Sequence, residues 1–364
     1  MKIKEVSEYL ENIASLSYQE SYDNSGLIIG ENNTEISGIL ICLDSTEEVV
    51  EEAISKNCNL IIAHHPIIFG GIKKINNQNY IGRAVVKAIK NDIGIYACHT
   101  NLDNVSNGVN KKIANTLGLV NTSILVPKTG TIKKLVVYVP TENKEDLLQA
   151  VFAAGAGEIG KYTNCSFTTR GDGSFMPMDG AVPYSGIVNE LHQAEEDKIE
   201  VIFQMHQQRE VVQAMLGAHP YEEVSYQIFN LDNTNQYIGA GMVGYLPLEM
   251  EEADFLQKIK IQMKAGCIKH TTLLGKKVLK VAVCGGSGSF LLKNAIASKA
   301  DFFITSDFKY HEFFDAEKSI VIADIGHYES EQFTIELLGE LLIEKFTTFA
   351  IRFSETNTNP VKYF

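Results

Sequence analysis

Among the nine histidines of the 364-residue chain, two are adjacent at the end of an apolar run that closes on proline: Leu60-Ile61-Ile62-Ala63-His64-His65-Pro66. Neutral imidazole is the commonest metal ligand, and near pH 7 much of an unperturbed histidine population is neutral. Pro66 disfavours helical backbone at His65, so the strand ends there and both rings reach one sheet edge. Two further segments put ligand-type residues directly after apolar runs: His99-Thr100-Asn101-Leu102-Asp103 and Gly326-His327-Tyr328-Glu329-Ser330-Glu331. A helix starting at Tyr328 places His327 and Glu331 at i and i+4, on one face. His64, His65 and His327 with Asp103 and Glu331 suffice for two ions that share a bridging carboxylate. The donors are all nitrogen and oxygen, which suits zinc, manganese, iron or cobalt and disfavours calcium. The competing reading, polar strand ends and helix caps at a solvated sheet edge, serves each segment singly. It serves three such segments at three strand ends less well.

Other residues invite chemistry with a plain alternative beside each. His99, four residues before Asp103, is a candidate for orienting a ligand or for general acid–base work, or is a strand-end histidine bonded to a backbone carbonyl. Asp307, Lys309 and His311 follow a strand and belong at the same cleft edge; Lys309 either meets a phosphate or is a solvated loop lysine. Cys284-Gly285-Gly286-Ser287-Gly288-Ser289 reads as a glycine loop between strand and helix. It either cradles a phosphate or permits a tight bend, and it lacks the Gly-Lys-Ser/Thr ending of a P-loop. His219, within Gly217-Ala218-His219-Pro220-Tyr221-Glu222-Glu223, reads as structural. His192, His206 and His270 have no partner legible in the sequence.

The elements that must position these groups alternate. In the first third, strands at 38–44, 60–63 and 93–98 are separated by helices at 45–56 and 81–90 and followed by one at 109–117; Ser45-Thr46-Glu47-Glu48 fits a capping box. In the last third, strands at 278–284, 301–305 and 320–324 accompany helices at 290–298 and 328–345. Near-continuous apolar strands between helices imply a mostly parallel sheet covered on both faces. The thirds resemble each other: 53–65 matches 297–307 with one gap, setting His65 opposite Asp307, and the next strand of each copy runs into a histidine, His99 and His327. A duplication would set equivalent strand ends across one cleft. The middle reads as strands at 134–139, 162–169, 198–204 and 224–231 with helices at 144–154 and 208–216 and a glycine- and proline-rich loop at 171–186. That βαββαβ order is ferredoxin-like. The fold class is therefore α/β: a discontinuous core of two similar halves, 1–126 and 241–364, with a ferredoxin-like domain inserted at 127–240.

Composition narrows the function classes. A hydrophobic content of 45% supports a sizeable core. The net charge of −13, without a dense Lys/Arg block, argues against a general nucleic-acid or anionic-membrane surface. Six cysteines without a C-x-x-C pair read as buried thiols in a reducing compartment. Helical spacing of Ile3, Val6, Leu10 and Ile13 replaces a signal-peptide core, and no apolar run approaches the ~20 residues of a membrane span, so a cytoplasmic protein is expected.

Asp23-Asn24-Ser25-Gly26-Leu27, His64-His65-Pro66, His99 to Asp103, Gly217 to Glu223 and Gly326 to Glu331, standing in this order, resemble the family of GTP cyclohydrolase 1 type 2 homologues, also called the NIF-three-like family of dinuclear-metal hexameric proteins. The resemblance covers essentially the whole chain. It includes an insertion found in the longer bacterial members, similar to PII- and CutA-like folds. It implies that His64 and His327 hold one ion, that His65 and Asp103 hold the other, and that Glu331 bridges them. It further implies a homohexamer (a trimer of dimers) and metal-dependent hydrolysis of a nucleotide-like small molecule, with opening of the guanine imidazole ring of GTP and release of formate as the activity in the family's name. The alternative is a metal-binding regulatory or metal-delivery protein without turnover of its own.

Overall fold

The computed structural model describes all 364 residues. They form two compact units, one of Met1–Pro127 with Gln236–Phe364 and one of Lys128–Asn235. No helix is long and apolar enough to cross a membrane.

The first unit holds two sheets. One orders its five strands as Gly26–Ile29, Gly94–Ala97, Leu60–His65, Ile39–Asp44 and Ile351–Phe353. All neighbours are parallel except the outermost pair, Gly26–Ile29 on Gly94–Ala97. Successive strand residues point to opposite faces, and both faces are buried. Leu40, Cys42, Ile61 and Ala63 pack on Val49, Val50 and Ala53 of the helix Glu47–Ser55 and on Ala84, Val85 and Ala88 of the helix Tyr80–Lys90. Ile39, Ile41, Leu60 and Ile62 enter a central core shared with Phe302, Ile304, Val321 and Ala323 of the second sheet.

That second sheet runs Lys269–His270, Val321–Asp324, Phe302–Ser306, Lys277–Ser287, Asn235–Glu251 and Val120–Lys128. Its three middle strands, Lys277–Ser287, Phe302–Ser306 and Val321–Asp324, are parallel and adjacent in chain order, as are Ile39–Asp44, Leu60–His65 and Gly94–Ala97. In each trio the last strand carries a short antiparallel strand on its outer edge. The whole sheet is mixed, because Asn235–Glu251 joins antiparallel to Lys277–Ser287.

Several local expectations shift. The strand 60–63 continues through both histidines to His65. Thr46, whose side chain accepts from the Val49 amide, caps the helix in place of Ser45. The single helix expected over 328–345 is two, His327–Glu331 and Thr334–Lys345. Gln332 lies at the break, its side-chain amide 2.9 Å from the Met263 carbonyl.

In the second unit the chain order is strand Ile132–Pro140, helix Lys144–Ala153, strands Phe167–Phe175 and His192–Gln204, helix Gln208–Ala218 and strand Tyr226–Leu231. The sheet order is Phe167–Phe175, His192–Gln204, Ile132–Pro140, Tyr226–Leu231, antiparallel throughout. Alternate residues Leu135, Val137 and Val139 with Ile199, Val201 and Phe203 pack on Leu147, Val151, Val211 and Met215 of the helices. The segment expected to loop from 171 is strand as far as Phe175; lying at the edge and mostly exposed, it carries no apolar signal.

Candidate metal centre

The strand Leu60–His65 sends its two terminal imidazoles to different surroundings. His64 is fully buried and His65 is only partly so. The His64 Nδ1 lies 2.6 Å from the Cys98 carbonyl oxygen. A carbonyl only accepts, so Nδ1 carries the hydrogen and Nε2 keeps its lone pair. Three other rings are held the same way by carboxylates, each at 2.7 Å: His65 Nδ1 by Asp44, His99 Nδ1 by Asp23 and His327 Nδ1 by Asp307. Four imidazoles thus present Nε2 with Nδ1 occupied, the arrangement that orients ligating histidines in metalloproteins.

Three of these nitrogens, those of His64, His65 and His327, converge on Glu331, which is almost wholly buried one turn after His327 on the short helix. Its Oε2 is 2.9 Å from His65 Nε2 and 3.1 Å from His327 Nε2, while its Oε1 is 3.7 Å from His64 Nε2. Asp103 Oδ1 is also 3.7 Å from His64 Nε2. Three overlapping groups result, each with ligand atoms within 4.8 Å of one another: His64 with Asp103 and Glu331, His65 with His327 and Glu331, and His64 with His65 and His99. The resemblance pairs His64 with His327 and His65 with Asp103; without metal the side chains group differently. His64 keeps company with Asp103 and His65 with His327, because each oxygen of Glu331 faces a different histidine of the pair.

A divalent ion fits these residues. His64 Nε2 and Asp103 Oδ1 are buried, have no hydrogen-bond partner, and face each other across 3.7 Å. Both are lone-pair acceptors, and buried acceptors left unpaired cost ~1–3 kcal/mol each; a cation between them removes that cost. In the metal-free chain the charges are shared unevenly. Burial, together with the Glu331 charge, pushes the Asp103 carboxyl well above the usual range. Burial opposes ionisation of Glu331 too, yet the His327 charge and hydrogen bonds from His327 and His65 hold it well below. Burial lowers the His64 imidazole. It is overcome at His65, which bonds to Asp44 and Glu331 raise to about 10, and at His327, which Glu331 and Asp307 raise to about 11.

The glycine loop makes room for this carboxylate. Gly286 has φ +60°, and an added Cβ would collide with Glu331 Oε1. The Gly285 amide donates to Asn110 and the Gly286 amide to Ser330, at 3.0 and 2.9 Å, so both amides are committed within the protein. Strand pairing continues to Ser287, and the α-helix that follows has only six residues.

Other candidates divide. Asp307 reaches the centre, bonded to His327 and to the Ser287 hydroxyl. Lys309 and His311 do not: Lys309 opens a short exposed helical turn, and His311 packs on Tyr310 and Phe314. His219 lies buried in the second unit, with Nε2 2.8 Å from the Tyr138 carbonyl and Nδ1 accepting from the Tyr221 amide, a structural role. His192 stacks edge-on against Phe175 in that unit, His206 lies in the turn Met205–Gln207, and His270 is an exposed strand end. Asp44 and Asp23 escaped functional reading. Asp44 ends the neighbouring strand at the register position of His65, where only strand pairing reveals it. Asp23 sits in a loop, bonding the Thr100 amide as well as His99. The six cysteines are all free thiols.

A cavity of about 850 Å³ opens over the cluster, with His65, His99, Asp103, His327 and Glu331 in its lining and Tyr22, Phe69, Tyr80 and Phe290 among its other walls.

The chain is 37% identical over 370 residues to a Bacillus subtilis protein named GTP cyclohydrolase 1 type 2 homolog, covering 99% of this chain and 98% of that one. It is 35% identical over 367 residues to a homolog of the same name from Staphylococcus epidermidis, with 100% of each covered. The crystal structure of a Bacillus cereus protein related to NIF3 superposes with a TM-score of 0.87 at 38% identity, over 100% of this chain and 99% of that one. A Staphylococcus aureus protein does so with a TM-score of 0.79 at 30% identity, again over 100% and 99%. With residues 1–360 matching the family described as Duf34/NIF3 (NGG1p interacting factor 3), the chain belongs to that family.

Proposed function

We propose that the chain is a two-metal hydrolase acting on a small nucleotide-like molecule. The observation that carries the proposal is Glu331, whose two oxygens each face a separate set of nitrogen and oxygen donors. His64, Asp103 and Glu331 would hold one divalent ion, and His65, His327 and Glu331 the other. Zinc, manganese, iron or cobalt bound there would supply a nucleophilic hydroxide near neutral pH and a Lewis acid. The protein's part is positional: Asp44 and Asp307 fix the rings of His65 and His327, and Asp23 holds His99 with Nε2 turned to the cavity. From there His99 would hydrogen-bond the reacting groups. In the reaction class considered, water oxygen bonds to an electrophilic carbon, the bond from that carbon to nitrogen breaks, and the leaving nitrogen takes the water's proton. The curated relatives' name points to the ring carbon of a purine.

The test is reconstitution. The chelated, full-length chain is reloaded with each of the four metals, and bound metal and turnover of guanosine, GTP and simple cyclic amidines are measured. Two ions per chain and turnover with at least one metal are expected. Two ions bound with no turnover on any substrate would overturn the reading.

A further inference from the structure

The cavity walls select among nucleotide-like ligands. No lysine or arginine lines the cavity. Lys269, in an adjoining cavity, is paired with Asp324 at 2.8 Å. The Gly285 and Gly286 amides, the other usual phosphate donors, are bonded to Asn110 and Ser330. Carboxylates are plentiful instead. Asp103 and Glu331 lie among the donors, Asp44, Asp23 and Asp307 stand directly behind the imidazoles, and Glu20 is in the wall. Two dications would bring four positive charges, fewer than the negative charges these carboxylates carry when ionised. A nucleoside triphosphate adds roughly four more negative charges, and nothing in the lining would offset them.

The cavity is rich in exposed aromatic faces. Tyr22 and Phe69 stack with centroids 6.2 Å apart and planes at 29°, and Phe69 meets His99 edge-on at 5.6 Å. Tyr22, Tyr80 and Phe290 are each more than 60% exposed although they line the cavity. Stacked aromatics leading to a ligating cluster suit a planar heterocycle, for which base–aromatic stacking contributes ~1–3 kcal/mol.

We infer that this site binds its substrate through a planar, uncharged heterocycle stacked on the aromatic walls and discriminates against polyphosphate, so that a nucleobase or nucleoside is the ligand class and a nucleoside triphosphate is not. The inference rests on the two-metal hydrolase reading for where the reacting atoms lie.

Guanosine, GMP and GTP share one ring and differ in charge, which makes them the probes. Their binding to zinc-loaded full-length protein is followed by calorimetry and by tyrosine fluorescence, the chain having no tryptophan. Affinity should fall in that order, with GTP at least tenfold weaker than guanosine, and inorganic tripolyphosphate should not compete with guanosine. Phe69→Ala and Phe290→Ala should each weaken guanosine about five- to tenfold, the lower end of the range expected for loss of stacking, with bound zinc unchanged. GTP binding as tightly as guanosine, no guanosine binding, or an unaltered affinity in both variants would overturn the inference. A protein that binds guanosine in this order yet turns nothing over would overturn the hydrolase reading alone. Turnover with GTP preferred would do the reverse.

Discussion

At the scale of single residues, the centre is organised by what stands behind the imidazoles. Asp44 and Asp307 hold the two rings that share one oxygen of Glu331, and the one ring that Asp23 holds is His99. Removing such a carboxylate's charge lowers metal affinity ~10–100-fold in metalloproteins. Asp44→Asn and Asp307→Asn should therefore each loosen the same ion. Dialysed against buffered zinc, either variant should retain about one ion where the parent retains two, and Asp23→Asn should retain both. Equal retention by all three variants, read by elemental analysis, would remove the orienting role. The ligand-type residues were legible because His64, His65, His327 and Glu331 stand in short segments where type and spacing coincide. Asp44 was not, since a lone aspartate ending a strand acquires meaning only from the neighbour beside it. The grouping of the donors was not legible either: it depends on which oxygen of Glu331 faces which ring, a matter of side-chain direction that spacing does not carry.

At the scale of elements, the C-terminal segment is fastened to the first sheet by strand pairing and, just beyond it, by one residue of a helix. Glu52, on Glu47–Ser55, accepts from the Ser354 hydroxyl at 2.6 Å, the Glu355 amide at 2.8 Å, the Thr356 hydroxyl at 2.7 Å and Lys56 at 2.7 Å. This holds the strand Ile351–Phe353 against Ile39–Asp44 and carries the chain on to Thr358, whose hydroxyl donates to Asp44 behind His65. Burial opposes ionisation of Glu52, but the Glu355 amide, Lys56, Ser354 and Thr356 outweigh it and hold the carboxyl at about 2, below its ordinary value of 4.5. A depressed carboxylate stabilises the fold above its unfolded value, and that contribution disappears as pH falls from 4.5 toward 2. Hydrogen bonds to a charged group contribute ~1.5–3 kcal/mol. Glu52→Gln should thus lower Tm by several degrees at pH 7 and speed amide exchange over 351–356. The gap in Tm between the two proteins should narrow on acidification to pH 3. A gap that stays constant with pH would show that the charge is immaterial. Nothing in the sequence announced this strand: it is three residues long and half exposed, and its pairing is its whole definition.

At the scale of the molecule, neither half of the first unit makes the centre alone. His64 and His65 come from the strand trio before the insertion and Asp103 from the short helix that follows it, His327 and Glu331 from the short helix that follows the trio after the insertion, and the central core joins the two sheets. The alternation of strands and helices exposed both trios in the sequence because their strands are buried on both faces. Val120–Lys128 and Asn235–Glu251 went unread because the first is mostly half-buried and the second alternates irregularly. Those two strands bracket the second unit. They are neighbours in the sheet, and at Gly239 a Cβ would strike the Val126 carbonyl, so the chain leaves and re-enters the first unit at nearly one place. The second unit meanwhile has its own sheet and its own core. Replacing 128–235 by Asn-Gly, the dipeptide suited to a tight hairpin turn, should therefore close the two strands on each other. The shortened chain should melt cooperatively and retain two zinc ions with the affinity of the full chain. Loss of zinc from a shortened chain that still melts cooperatively would mean that 128–235 helps to hold the centre, whereas failure to fold would mean that the two trios need it to find each other.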